Sequence, residues 1–104
     1  MDSLLPIGTV VSIGDETNGY VTVVIAGYGG QSADKQVYDY IGFIYPYGFV
    51  SRDKIILFET ALIHEVIHQG YEDEDYKEVI PGIKKVVDEK KGGPVIVWRM
   101  NYYL

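Results

Sequence analysis

The chain has 104 residues, 47 % of them hydrophobic, and nine Lys plus Arg against fifteen Asp plus Glu give a net charge of −6. The length predicts a single domain over residues 1–104, the hydrophobic fraction excludes wholesale disorder, and the negative balance excludes a broad nucleic-acid surface, since nothing would neutralise a phosphate backbone. With no cysteine there is no disulfide framework, no thiolate metal site and no cysteine nucleophile.

Two counts stand out of proportion, ten tyrosines and twelve glycines. The first residues lack a basic leader, and Pro6 and Gly8 interrupt their apolar stretch. The longest apolar runs reach about five residues, against ~20 needed to span a bilayer, so a cytoplasmic protein without membrane contact is expected.

Residues 8–13 read as a short strand rich in β-branched side chains. Residues 14–19 carry turn chemistry in Asn18 and Gly19, and residues 20–26 form a second, almost continuously apolar strand, so a hairpin is expected. Residues 28–34 follow as a polar, mobile loop marked by Gly27, Gly29 and Gly30. Residues 36–45 form the third strand, with Val37, Asp39, Ile41 and Phe43 on one face and Tyr38, Tyr40, Gly42 and Ile44 on the other. Pro46-Tyr47-Gly48 turns the chain into a fourth strand at 54–58.

Residues 59–69 admit two readings. Leu62, Ile63, Val66 and Ile67 repeat at helical spacing, whereas 66–71 alone could close the sheet as a strand. An acidic stretch follows: residues 72–78 hold five acids and one lysine, so four of the six net negative charges are local to it. Tyr76, Val79, Ile80, Ile83, Val86 and Val87 then recur at helical spacing, with acids before them and Lys90-Lys91 behind, as the helix macrodipole favours. Because an interior proline breaks a helix, the regular helix is expected to start near Pro81, after an irregular turn, and to stop at Gly92-Gly93-Pro94. Residues 95–102 can add a last strand. The expected fold is α+β: a small antiparallel sheet built from hairpins, with one or two helices packed on it.

His64-Glu65-Val66-Ile67-His68 is a literal H-E-x-x-H. On a helix, positions i and i+4 share one face, where two imidazoles can ligate zinc and the glutamate can act as general base. Both histidines of the chain lie in it, and Asp88 or Glu89 could supply a third ligand. Against zinc, Gly70 falls one position early for the longer metzincin pattern, no third histidine exists, and a chain this short has little room for a protease cleft. On a solvated helix edge the same residues are ordinary surface. Gly27-Tyr28-Gly29-Gly30 is no phosphate cradle, because no Lys-Ser/Thr and no helix follows it. The acidic stretch lacks the alternating spacing and central glycine of a calcium loop.

Four blocks carry a resemblance: Leu4-Leu5-Pro6-Ile7-Gly8-Thr9-Val10-Val11, Tyr38-Asp39-Tyr40-Ile41-Gly42-Phe43-Ile44-Tyr45-Pro46-Tyr47-Gly48, Ile56-Leu57-Phe58, and Val66-Ile67-His68-Gln69-Gly70-Tyr71-Glu72-Asp73. Over about residues 4–80 the chain resembles a family of small Gram-positive bacterial proteins, the domain of unknown function 4176. Members tend to be encoded beside LXG-type antibacterial toxins exported by the type VIIb secretion system. The resemblance therefore implies a chaperone or targeting factor that binds a cognate LXG toxin before export, with no catalytic residues, no cofactor and no metal. Positions 64 and 68 are not fixed histidines in the family's pattern, and position 68 is commonly aromatic, which favours a strand over 66–71. The segment from Pro81 onward lies outside the resemblance.

Tyr38, Tyr40, Tyr45 and Tyr47 cluster within ten residues and are the expected protein interface, since tyrosine offers a large amphipathic ring at little entropic cost. Filling a small core is the other use for such rings. Two rival functions stay open at this level. One is a minimal zinc metallohydrolase through His64, Glu65 and His68, and the other an immunity protein that neutralises the toxin.

Overall fold

In a computed structural model, residues 3–91 and 100–103 are described, the last four through their backbone. Strands β1 (Val10–Asp15), β2 (Gly19–Tyr28), β3 (Tyr40–Ile44), β4 (Ile55–Phe58), β5 (Ile63–His68) and β6 (Met100–Tyr103) form one sheet, and helix α1 (Glu74–Lys91) supplies the second layer. The strand order is β5-β1-β2-β3-β4-β6, and every neighbouring pair is antiparallel. The fold is thus the expected α+β arrangement, with one helix.

The β1–β2 hairpin closes through the anticipated turn: Asn18 donates its N–H to Asp15 Oδ1 at 2.7 Å, and Gly19 takes a φ of +85°. β1 starts two residues later than expected because Gly8, at φ +92°, bends the chain. Residues 8 and 9 nevertheless stay beside β2, with Gly8 N–H donating to the Ile25 carbonyl at 2.8 Å and Ile25 N–H to the Thr9 carbonyl at 2.9 Å. The third strand is shorter than expected. Residues before Tyr40 leave the sheet and pair back on the preceding loop, with Tyr38 N–H on the Gly30 carbonyl and Gly29 N–H on the Asp39 carbonyl. Gly30 in that loop is buried, and a Cβ there would lie 2.5 Å from Leu57 Cδ2.

Residues 59–69 form no α-helix. A 3-10 turn at Thr60–Leu62 leads into β5, which pairs with β1 at the sheet edge. The helix also differs from expectation: it begins at Glu74 and runs through Pro81. Asp73 caps it, its Oδ1 accepting the Tyr76 N–H at 3.0 Å, which satisfies one of the donors a helix start leaves unpaired. Ile80 and Val87, on the face turned to the sheet, are buried while Pro81 is exposed, so apolar burial on the flanking turns offsets the lost backbone bond. The expected stop at Gly92-Gly93-Pro94 and the first part of the expected strand at 95–102 lie outside the described residues.

Alternation along each strand puts Val11, Ile13, Val23, Ile25, Tyr40, Ile56 and Phe58 on the inner face, where they pack with Ile80 and with Leu4 and Leu5. Three tyrosines from separate elements hold that N-terminal segment. Tyr28 Oη donates to the Leu5 carbonyl at 2.6 Å, Leu5 N–H donates to Tyr40 Oη at 2.9 Å, and Tyr76 Oη donates to the Leu4 carbonyl. Burial, with Tyr76 and Tyr40 nearby, pushes the Tyr28 phenol up to about 12, so it remains a donor. Gly70 closes the same corner, donating its N–H to Thr9 Oγ1 at 3.0 Å, and a Cβ on it would come 2.4 Å from the Ile7 carbonyl oxygen.

Candidate functional site

His64, Glu65 and His68 all lie exposed on β5, a terminal strand of the sheet. Its register against β1 breaks twice: Ile63 faces Ile13, Glu65 faces Ser12, Val66 faces Val11 and His68 faces Val10. His64 and Ile67 are therefore the extra residues of two bulges. An extended strand sets residues i and i+4 roughly 13 Å apart, whereas a helix offsets them by about 6 Å along its axis. The strand thus lacks the geometry by which H-E-x-x-H binds zinc. The His64 ring instead lies against Tyr20, with centroids 4.5 Å apart. Asp88, one suggested third ligand, is paired with Lys84 at 2.8 Å. Among the described residues, no group of three His, Asp or Glu is placed to hold a metal.

The four tyrosines of the expected interface divide into two pairs. Tyr38 and Tyr40 are 1 % and 0 % exposed, so they present nothing to a partner, a correction to the expected cluster. Tyr40 stacks on Phe58 at 5.2 Å between centroids and holds the Leu5 amide, which accounts for its burial. Tyr45 and Tyr47 are 55 % and 73 % exposed.

Those two belong to the turn joining β3 to β4, where Tyr47 and Gly48 both donate N–H groups to the Ile44 carbonyl at 3.0 Å. Phe49 and Val50, which sequence reasoning missed, follow directly and are exposed. The antiparallel order brings Tyr20, at the start of β2, to the same end of the sheet, since Tyr45 N–H donates to the Thr22 carbonyl at 2.9 Å. Exposed aromatic rings therefore gather at this end. The patch continues onto the sheet face turned away from α1. There Val10, Val24, Phe43 and Ile55 stand opposite one another across four strands, all half-buried, and Phe49 lies against Phe43 at 5.7 Å between centroids. An open apolar pocket of about 280 Å³, lined by Ile44, Tyr47, Gly48, Val50 and Lys54, lies at the same turn but on the side of Ile44, which packs against the core. Apolar side chains directly after a Pro-Tyr-Gly turn, outside any periodic element, were the available signal for Phe49 and Val50.

The model of the family described as Domain of unknown function (DUF4176) matches residues 4–79. The chain belongs to that family. No curated protein and no solved structure gives a significant match. The DUF4176 match takes in the whole aromatic end and β5, and stops within α1.

A second cluster in this DUF4176 chain escaped sequence reasoning altogether. Lys91, the last residue of α1, places Nζ 2.5 Å from Asp39 Oδ1 and 2.8 Å from Glu59 Oε2. Asp39 N–H donates to Glu59 Oε1 at 2.9 Å, and the Thr60 N–H and hydroxyl donate to Asp39 Oδ2 at 2.9 and 2.8 Å. Burial pushes the Asp39 carboxyl up, but the bonds from Lys91 and Thr60 outweigh it and hold the group below the usual carboxylate range. For Lys91, burial acts downward while bonds to Asp39 and Glu59 act upward and prevail. Every charge in the cluster has a partner, so it reads as a latch between the helix end and the open end of the β3–β4 hairpin.

Proposed function

We propose that this DUF4176 chain is a non-enzymatic accessory protein, a chaperone or targeting factor, that binds an LXG-type antibacterial toxin in the cytoplasm of a Gram-positive bacterium before type VIIb export. The observation that carries a binding role is the exposed aromatic end formed by Tyr20, Tyr45, Tyr47 and Phe49. Aromatic side chains anchor protein interfaces because each buries much apolar area while losing few rotamers. The family resemblance supplies the toxin as partner. No helix among the described residues is long and apolar enough to cross a membrane.

Co-expression with a tagged LXG toxin encoded beside this chain tests the proposal. The toxin should retain the wild-type protein, and Tyr47→Ala with Phe49→Ala should lower recovery at least tenfold without shifting the melting temperature. Normal toxin stability and export in a strain lacking this chain would refute the export role. Binding confined to the toxic C-terminal domain, together with protection of a sensitive cell, would replace it with immunity.

A further inference from the structure

We infer that one face of α1 is a self-association surface, through which two copies of this chain pair with their helices antiparallel. The inference goes beyond the toxin-binding role and uses a different part of the molecule, most of it past the family match, which ends at residue 79. Asp75, Val79, Gly82, Val86 and Lys90 recur every three or four residues, so they share one face of the helix. That face flanks the one buried against the sheet, which carries Ile80 and Val87. Val79 and Val86 are half exposed, and with Gly82 and Lys90 they form one wall of an open groove of about 370 Å³, with Tyr28 and Gly29 on the other. Gly82 has open space where a Cβ would stand, so a second helix can come close at the middle of the stripe.

Charge along the stripe picks the occupant. Residues 72–78 hold five acids and one lysine, whereas residues 84–91 hold four lysines and two acids. In that second half Lys84 is paired with Asp88 and Lys91 is taken by the latch, which leaves Lys85 and Lys90 against Glu89. Asp75 and Lys90 are both exposed, and no ion pair among the described residues takes in either. A second α1, turned about a twofold axis level with Gly82 and Ile83, brings its basic end to the acidic start of the first. Asp75 then stands level with Lys90 of the second copy, Val79 with its Val86 and Gly82 with its Ile83, and symmetry repeats each pairing. A parallel pairing would set acid against acid and lysine against lysine. The stripe thus offers a copy of itself apolar contact, close approach and complementary charge. One helix face makes a small interface, so the dimer is concentration-dependent.

Sedimentation equilibrium of the full chain reads the dissociation constant. Asp75→Lys and Lys90→Asp should each weaken association about tenfold, or ~1.4 kcal/mol divided between two symmetry-related pairs. Combined in one chain they rebuild the pairing in reverse and should return the constant to within about threefold of wild type, which a loss of folding could not do. Circular dichroism checks that all three variants keep the wild-type secondary structure. Because the chain has no cysteine, Val79→Cys and Val86→Cys report the register. Mixed and oxidised, the two variants should cross-link to each other faster than either does to itself. A chain that stays monomeric up to about 1 mM, a dimer indifferent to both charge reversals, or a preference of each cysteine variant for its own kind would overturn the inference.

Discussion

Replacing Lys91 with methionine keeps the unbranched stem of the side chain, one atom shorter, and removes its charge. Asp39 and Glu59 would then face each other with no cation between them, in a site where the three side chains are 11 %, 5 % and 10 % exposed, in the order Asp39, Glu59, Lys91. Removing one partner from a buried ion pair costs about 3–5 kcal/mol. The lower end applies here, because Lys91 ends its helix and one carboxyl can take up a proton. A loss of about 3 kcal/mol is a large share of the 5–15 kcal/mol typical of a domain, and lowers Tm by roughly 12–24 °C at this chain length. Urea unfolding followed by far-UV circular dichroism measures it directly. Adding Glu59→Gln to Lys91→Met should recover part of the loss, since a neutral amide beside Asp39 removes the like-charge contact. A cost below about 1 kcal/mol, the size of an exposed surface pair, would refute the claim that this cluster latches the fold.

The same cluster sets a pH window. Asp39 lies below its unfolded value, so its contribution is present above the ordinary carboxylate pKa of ~3.9 and disappears as pH falls through the lower folded value. Lys91 lies above its unfolded value, so its contribution is complete below ~10.4 and disappears as pH rises through the higher folded value. Urea midpoints across pH should therefore show a plateau between these limits, and a steady slope from pH 5 to 9 that vanishes in Lys91→Met would contradict it. Tyr40→Phe should cost ~1–3 kcal/mol, because the buried Leu5 N–H loses its acceptor; a neutral thermal melt would argue against the tyrosine clamp. Gly70→Ala should cost ~1–3 kcal/mol through the clash with the Ile7 carbonyl. Gly82→Ala, a helical position with open space around the new Cβ, should stabilise by ~0.5–1 kcal/mol, and chemical denaturation of the two variants compares them.

The fold was legible wherever the local chemistry and the final packing agree. Asn18-Gly19 marked the first hairpin, the alternation of residues 40–44 marked β3, and the acids and lysines flanking α1 marked its polarity. β5 was ambiguous for a physical reason. A bulge at His64 brings Ile63 and Val66, three residues apart, opposite Ile13 and Val11 on the inner face, and spacing of three imitates a helix. The helix start was missed because Pro81 moved the expected start down the chain; Asp73, three residues before the Tyr76 it caps, was the signal available and unused. Of the candidate site, Tyr45 and Tyr47 could be read from sequence, but their separation from Tyr38 and Tyr40 could not. That division depends on which neighbours cover each ring, and Phe58 and Leu5 come from elsewhere in the chain. Asp39, Glu59 and Lys91 lie 20 and 32 residues apart, and only the folded topology joins them.

The two clusters sit at opposite ends of one hairpin. Residues 45–54 close the β3–β4 hairpin, whereas Asp39 and Glu59 flank its open end, beyond the Tyr40–Phe58 pair. Four paired positions at ~3.4 Å each separate them, so the aromatic end and the latch exceed the ~7–10 Å within which side chains usually couple. Changes in the aromatic end should therefore leave the latch intact. The family match points the same way: it ends at residue 79, yet Ile80 and Val87 beyond it are buried against the rest, and Lys91 neutralises two acids that lie inside it. The part of α1 beyond the match thus helps hold the matched region together, while the exposed aromatic residues Tyr20, Tyr45, Tyr47 and Phe49 all lie inside the match. The aromatic turn and the clamp that joins sheet and helix thus occupy opposite ends of one pair of strands, and a substitution exposed at the turn should leave the clamp's contribution to stability unchanged.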